Sequence, residues 1–101
     1  MNEKALHLLG IARRAGRLTL GNDATIEVLR KGHTQLVMFA SDLSPRTSGG
    51  VTFAAKEEGV AVIQIKATMD EISMALGKRT GVVAVNDPGF AKKLIALCAD
   101  E

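Results

Sequence analysis

The chain has 101 residues, 47% hydrophobic and 24% charged, with a formal net charge of +2. That length supports one domain, residues 1–101, with a core of its own, and the composition excludes a disordered tract. The longest apolar runs fall far short of the roughly 20 residues of a membrane span, and the single cysteine, Cys98, excludes an internal disulfide or a cysteine metal cluster. The first residues lack the signal-peptide order of basic start, apolar centre and small-residue cleavage site, so a cytoplasmic protein is expected. Charge is uneven along the chain. Residues 1–50 hold seven basic and four acidic side chains, residues 51–101 six and seven. A localised basic face of this kind favours a polyanionic partner over a neutral one.

Helical and strand patterns alternate from the N-terminus. In "EKALHLLGIARRAG" (3–16) Leu6, Leu9 and Ala12 recur at helical spacing, beside Ala5 and Leu8, and Gly16 stops the helix. "RLTL" (17–20) is a short strand, polar at Thr19 and so expected at a sheet edge. "NDATIEVLRKG" (22–32) is a second helix ending at Gly32, with Asn22 as its N-cap. "TQLVMFA" (34–40) is an apolar run of strand length. "SPRTSGGVTFAAKEEG" (44–59) supplies a third helix that begins after Ser44 or Ser48, with Gly49 and Gly50 letting the chain turn within or into it. "VAVIQI" (60–65) is another apolar strand. In "TMDEISMALG" (68–77) Thr68 precedes Glu71 by three residues, the reciprocal capping pattern. "GVVAVND" (81–87) is a further buried strand. "PGFAKKLIALCAD" (88–100) closes the chain with a helix that places Phe90, Leu94, Leu97 and Cys98 on one face, Cys98 as a buried, inert thiol.

Strands apolar on both faces, interleaved with helices, need cover on both sides. The fold class expected is therefore α/β, a three-layer α/β/α sandwich around a mixed, mostly parallel four-stranded sheet.

The residues offer no active site. His7 and His33 are far apart and in no metal-ligand spacing, and Glu57 and Glu58 are adjacent on a helix and diverge. No nucleophile elbow, paired-cysteine or zinc-helix motif occurs, nor a glycine-rich nucleotide loop. No cofactor or metal is expected. With no Trp or Tyr, and Phe39, Phe53 and Phe90 at core-like positions, base stacking on aromatic rings is not expected either. Two segments remain. "LGNDATIE" (20–27) puts Gly21 before a helix whose first N–H groups are free to meet an acceptor, unless Asn22 and Asp23 only cap it. "GKRTG" (77–81) carries two cations and a hydroxyl on a loop between helix and strand.

The order of these segments, "LGNDATIEVLRKG", "TQLVMFASDLSP" and "EISMALGKRTGVVAVNDPGFAKKL", resembles the kink-turn RNA-binding ribosomal proteins of the L-seven-Ae and L-thirty-e superfamily, and within it the bacterial YlxQ-like branch. The resemblance covers essentially the whole chain. It implies non-catalytic binding of structured RNA, expected to be ribosomal RNA, by a protein associated with the ribosome or with translation-related proteins; a monomer is the default expectation. It places the family's recognition motif on Gly21, Asp23, Ala24 and Glu27. There Gly21 matches, whereas Asp23, Ala24 and Glu27 stand where the family has Asn, Glu and Lys. It also points to the loop of Lys78, Arg79, Thr80 and Gly81 as the second RNA-facing segment. On this reading Gly21 gives close approach and Asn22 and Thr25 give polar contacts. Arg14, Arg17, Lys78 and Arg79 meet phosphates, with Arg46 nearby, and Asp23 either binds or caps. The departures at Asp23, Ala24 and Glu27 leave a second reading open, a protein-interaction module of the same fold that has lost kink-turn recognition.

Overall fold

The computed structural model describes residues 2–99; Asp100, which the sequence reading includes in the last helix, lies outside them. The elements are α1 (Glu3–Arg14), β1 (Leu18–Leu20), α2 (Asn22–Arg30), β2 (Leu36–Phe39), α3 (Pro45–Glu57), β3 (Ala61–Gln64), α4 (Met69–Leu76), β4 (Val82–Val85) and α5 (Pro88–Ala99). Local chemistry explains most of the boundaries. Asn2 and Ser44 cap α1 and α3 by accepting from Ala5 N–H and Thr47 N–H, and Pro45 sits in the first turn of α3, where its missing N–H costs nothing. Thr68 and Glu71 form the reciprocal capping box of α4, as their spacing predicts. Gly77, in the left-handed region at φ 78°, ends the same helix.

The strand order is β1-β4-β2-β3, so "RLTL" does lie at an edge. The sheet is mixed, but "mostly parallel" needs correction: β2 pairs in parallel with β3, while β4 runs antiparallel to both β1 and β2. β1, β2 and β3 share one direction, as the helix–strand alternation implies. The cause of the difference is α4. Ala67 and Gly81 flank it, and their carbonyls accept from Ser41 and Ala40, neighbouring residues at one end of β2. The chain thus leaves and re-enters the sheet at the same end, and β4 descends between β1 and β2.

Side-chain alternation divides the sheet into two apolar faces. Leu36, Met38, Val83 and Val85 pack with Leu9 of α1, Ile72 and Leu76 of α4, and Ala91 and Leu94 of α5. Val37, Phe39 and Val82 pack on the other side with Leu29 of α2 and Val51, Ala54 and Ala55 of α3. The three layers expected are therefore present. β2 and β4 are buried throughout.

Four local expectations change. "VAVIQI" is the second edge, with Ala61 and Gln64 exposed, because β4 takes the central place beside β2. Gly49 and Gly50 turn nothing; both lie inside α3, and Gly50 lets Ile26 of α2 come close, within 3.6 Å of where a Cβ would stand. Phe53 points outward from α3 and is 58% exposed. Cys98 is only half-buried, at the margin of the core.

Candidate nucleic-acid interface

β1 ends at Leu20, and Gly21 redirects the chain into α2. Its φ of 101° lies in the region that favours glycine, its N–H donates to Val82 O at 3.0 Å, and its carbonyl accepts from Thr25 N–H. Gly21 is itself the N-cap, and no side chain caps the helix. Asn22 is therefore not the cap that its residue type suggests; it is already helical. Among the described residues no side chain caps the first-turn N–H groups of α2, and the acidic Asp23 in that turn complements the positive end of the helix dipole.

Beside this turn is a cleft of about 420 Å³ whose walls include Gly21, Asn22, Asp42, Ser44, Thr47, Met69, Arg79 and Gly81. The N-terminal ends of three helices meet there, α2 at Asn22, α3 at Ser44 and Thr47, and α4 at Met69. The latter two are capped, α3 by Ser44 and α4 by Thr68, with the Met69 N–H also donating to Asp42 Oδ1 at 3.0 Å. Only α2, of these three, enters the cleft without a side-chain cap. The Asn22 Oδ1 atom is buried and has no hydrogen-bond partner among the described residues. Such a group loses its hydration without compensation, a cost of about 1–3 kcal/mol, unless a ligand donor meets it.

The sequence-predicted residues divide sharply in this structure. Gly21, Asn22, Arg79 and Thr80 line the cleft. Asp23 is exposed in the first turn of α2, Lys78 is exposed next to Arg79, and Arg46 is exposed in the first turn of α3 beside the lining residue Thr47. Arg79 is paired with Asp70 of α4. Thr80 is buried; its hydroxyl donates to Val82 O and accepts from Val82 N–H, so it shapes the loop instead of facing a ligand. Thr25 is fully buried, and its hydroxyl, like the Asn22 amide oxygen, is without a partner among the described residues.

Two expected phosphate contacts lie elsewhere. Arg17 precedes β1, and its carbonyl accepts from Asn86 N–H at the far end of β1 and β4 from Gly21. Arg14 lines a separate groove between α1 and α4 with Glu71 and Met74. Arg30 belongs to neither site: it bridges to Glu57 at the end of α3 and to Glu58, the residue that caps it, and its hydrogen bond to Glu57, ahead of the other causes, raises its pKa. Conversely, Asp42, Ser44, Thr47 and Met69 were not foreseen as site residues. The available signal was "S-D-L-S-P", where Ser44 before Pro45 marks a helix start directly after a strand.

Gly81 fixes the cleft's floor. A Cβ there would stand 2.5 Å from Leu43 Cδ1 and 3.1 Å from Met69 Sδ, so the loop before β4 packs against both neighbouring segments through a residue without a side chain.

Residues 3–95 match the model of the ribosomal protein L7Ae/L30e/S12e/Gadd45 family. The chain belongs to this family. Its members are non-enzymatic proteins of ribosomal type, and the chain is not an enzyme. It is 34% identical over 91 residues to the RNA-binding protein YlxQ of Enterococcus faecium, covering 90% of this chain and 87% of that protein. Against the RNA-binding protein YlxQ of Bacillus subtilis the identity is 35%, over 89% of this chain and 90% of the relative. The large ribosomal subunit protein eL30 of Candida glabrata is 31% identical over 88% of this chain and 87% of its own length. Among solved structures, a protein of unknown function from Bacillus halodurans superposes with a TM-score of 0.90 at 31% identity, covering 99% of this chain and all of that one. The 15.5kD RNA binding protein of Giardia lamblia shares the fold, with a TM-score of 0.77 at 17% identity over 99% of this chain and 89% of its own. Among the described residues no helix is long and apolar enough to cross a membrane.

Proposed function

We propose that this L7Ae-family chain is a cytoplasmic, monomeric, single-domain RNA-binding protein whose target is structured ribosomal RNA. RNA as the ligand class is supported by the YlxQ relatives, which are RNA-binding proteins by name, and the ribosome by the eL30 relative. The observation that carries the reading is the buried, unpartnered Asn22 amide oxygen at the uncapped start of α2. Turned toward the cleft that Asn22 lines, this oxygen meets the donor of a base edge or sugar hydroxyl, and the N–H groups beside it suit a phosphate or a base acceptor. Arg79, with Lys78 and Arg46 at the rim, supplies the salt-dependent attraction. Asp23, Ala24 and Glu27 cannot reproduce the contacts of the kink-turn motif, so the Asn22 amide takes the discriminating role.

Titration of labelled kink-turn RNA and of an unkinked duplex of equal length, at low and at moderate salt, tests this. The kinked RNA is expected to bind more tightly, Asn22→Ala to abolish the preference, and Arg79→Ala to weaken both ligands alike. Failure to bind either RNA at low salt would overturn the proposal in favour of a protein-interaction module of the same fold.

A further inference from the structure

Ala5, Leu9 and Ala12 of α1 are fully buried, and Leu8 packs against the edge of the same core. The helix nevertheless carries apolar side chains on both flanks of that stripe. Leu8 and Ile11 are only half-buried and, with Ala96 and Leu97 of α5, line a groove of about 410 Å³ that shares no residue with the RNA cleft. The other lining groups are His7, Lys4 and Lys93, and no carboxylate is among them. Lysines in such positions lay their methylene stems along the apolar wall and keep the ammonium groups at the rim. A nearly all-aliphatic trough between two helices, edged by two cations, has a definite chemistry. It receives a third helix through its apolar side chains and rewards carboxylates on that helix's flanks.

We propose that the α1–α5 groove is a docking surface for an acidic amphipathic helix of a protein partner, separate from the RNA cleft and able to be occupied together with it. The charge chooses the occupant. A second copy of this chain, apposed through the same surface, would bring Lys4 and Lys93 of both molecules together, and a nucleic acid finds no aromatic ring or polar array in the trough.

The test is a titration of isotope-labelled full-length protein, followed by amide chemical shifts, with a designed helical peptide. The peptide carries Leu at i, i+3, i+4 and i+7 with Glu on the flanks, and the control has Lys in place of Glu. The acidic peptide is expected to shift Lys4, His7, Leu8, Ile11, Lys93 and Leu97 selectively and to bind about tenfold more tightly than its lysine counterpart. Lys93→Glu reverses that order, and Ala96→Glu, an exposed position on the groove wall, blocks both peptides. Both variants retain the wild-type spectrum elsewhere and the wild-type affinity for RNA. Equal binding of the two peptides, or shifts outside α1 and α5, overturns the proposal. So does a concentration-dependent shift of the same residues without peptide, which reveals self-association, or a loss of RNA affinity in Lys93→Glu, which makes the surface part of the RNA site.

Discussion

The two ends of the sheet differ in the polar groups they leave unsatisfied. At the end where β1 begins, Thr34 donates to Asn86 Oδ1 at 3.0 Å, Asn86 Nδ2 donates to Thr19 at 2.8 Å, and the Asn86 N–H donates to the Arg17 carbonyl. One side chain there ties both neighbours of β4 to it. At the other end, among the described residues, the Asn22 amide oxygen is buried without a partner and α2 starts without a side-chain cap. A satisfied network specifies the fold; a group left unsatisfied lowers stability and is retained where something else meets it. The contrast separates the end that holds the sheet together from the end that offers groups to a ligand.

Substitution of the two asparagines sharpens that contrast most. Asn86→Ala removes both bridging bonds and strands the hydroxyl of Thr34, a residue only 5% exposed. A loss of about 2–3 kcal/mol in unfolding free energy is expected by urea denaturation, with RNA affinity unchanged under conditions where the variant is folded. Asn22→Ala deletes the unsatisfied acceptor and installs a better helix former, so stability is expected within about 0.5 kcal/mol of wild type or above it. Its affinity for kinked RNA is expected to fall about tenfold, near 1.4 kcal/mol. A marked destabilisation by Asn22→Ala would show that the residue is structural and break the comparison.

Gly81→Ala is the next largest. The new methyl meets Leu43 and Met69, the ends of side chains that can yield, so the cost is expected near 1 kcal/mol, at the low end of overpacking penalties. Because those side chains also line the cleft, RNA affinity falls with stability here, unlike at Asn22. Parallel denaturation and titration of the same preparation read both quantities.

What the sequence made legible was what short-range chemistry decides. The α4 capping box, the Ser44–Pro45 start of α3 and the glycine turns at Gly16, Gly32, Gly59 and Gly77 depend on residues within a few positions of one another. The apolar runs of β2 and β4 announced their burial on both faces. Neighbours in the sheet were not legible, because strand alternation indicates direction while the return of α4 to its starting end decides where β4 inserts. The misplacement of Arg17 follows from that same gap: three residues from β1's end in sequence, it lies at the opposite end of the strand from Gly21 in space. Asn22 misled for a different reason. A good capping residue next to a glycine reads as the cap, but Gly21 adopts the capping conformation itself and moves Asn22 one place into the helix. Local pattern singled out "LGNDATIE" and "GKRTG" separately, and the structure brings Gly21, Asn22, Arg79 and Thr80 of those two segments to one cleft.

Arg79 and Asp70 carry the smallest expected effects. Arg79→Ala removes one cation from the cleft, and the slope of log affinity against log salt is expected to become shallower by just under one. Asp70 poses a finer question, because it pairs with the guanidinium that the proposed site assigns to RNA. Both partners are more than half exposed, at 57% and 81% of their side-chain surface, so water and salt already weaken the pair. Exchange of the carboxylate for a phosphate then costs little, and the carboxylate acts as a weak competitor. Asp70→Asn is therefore expected to raise affinity for both RNAs by no more than about fivefold at low salt, with the gain vanishing as salt screens the pair. A fall in affinity would give Asp70 the opposite role, that of holding Arg79 in the orientation the phosphate needs. The open end of the sheet would then bind through a satisfied pair, and the groups left unsatisfied would no longer be the ones that mark the ligand end.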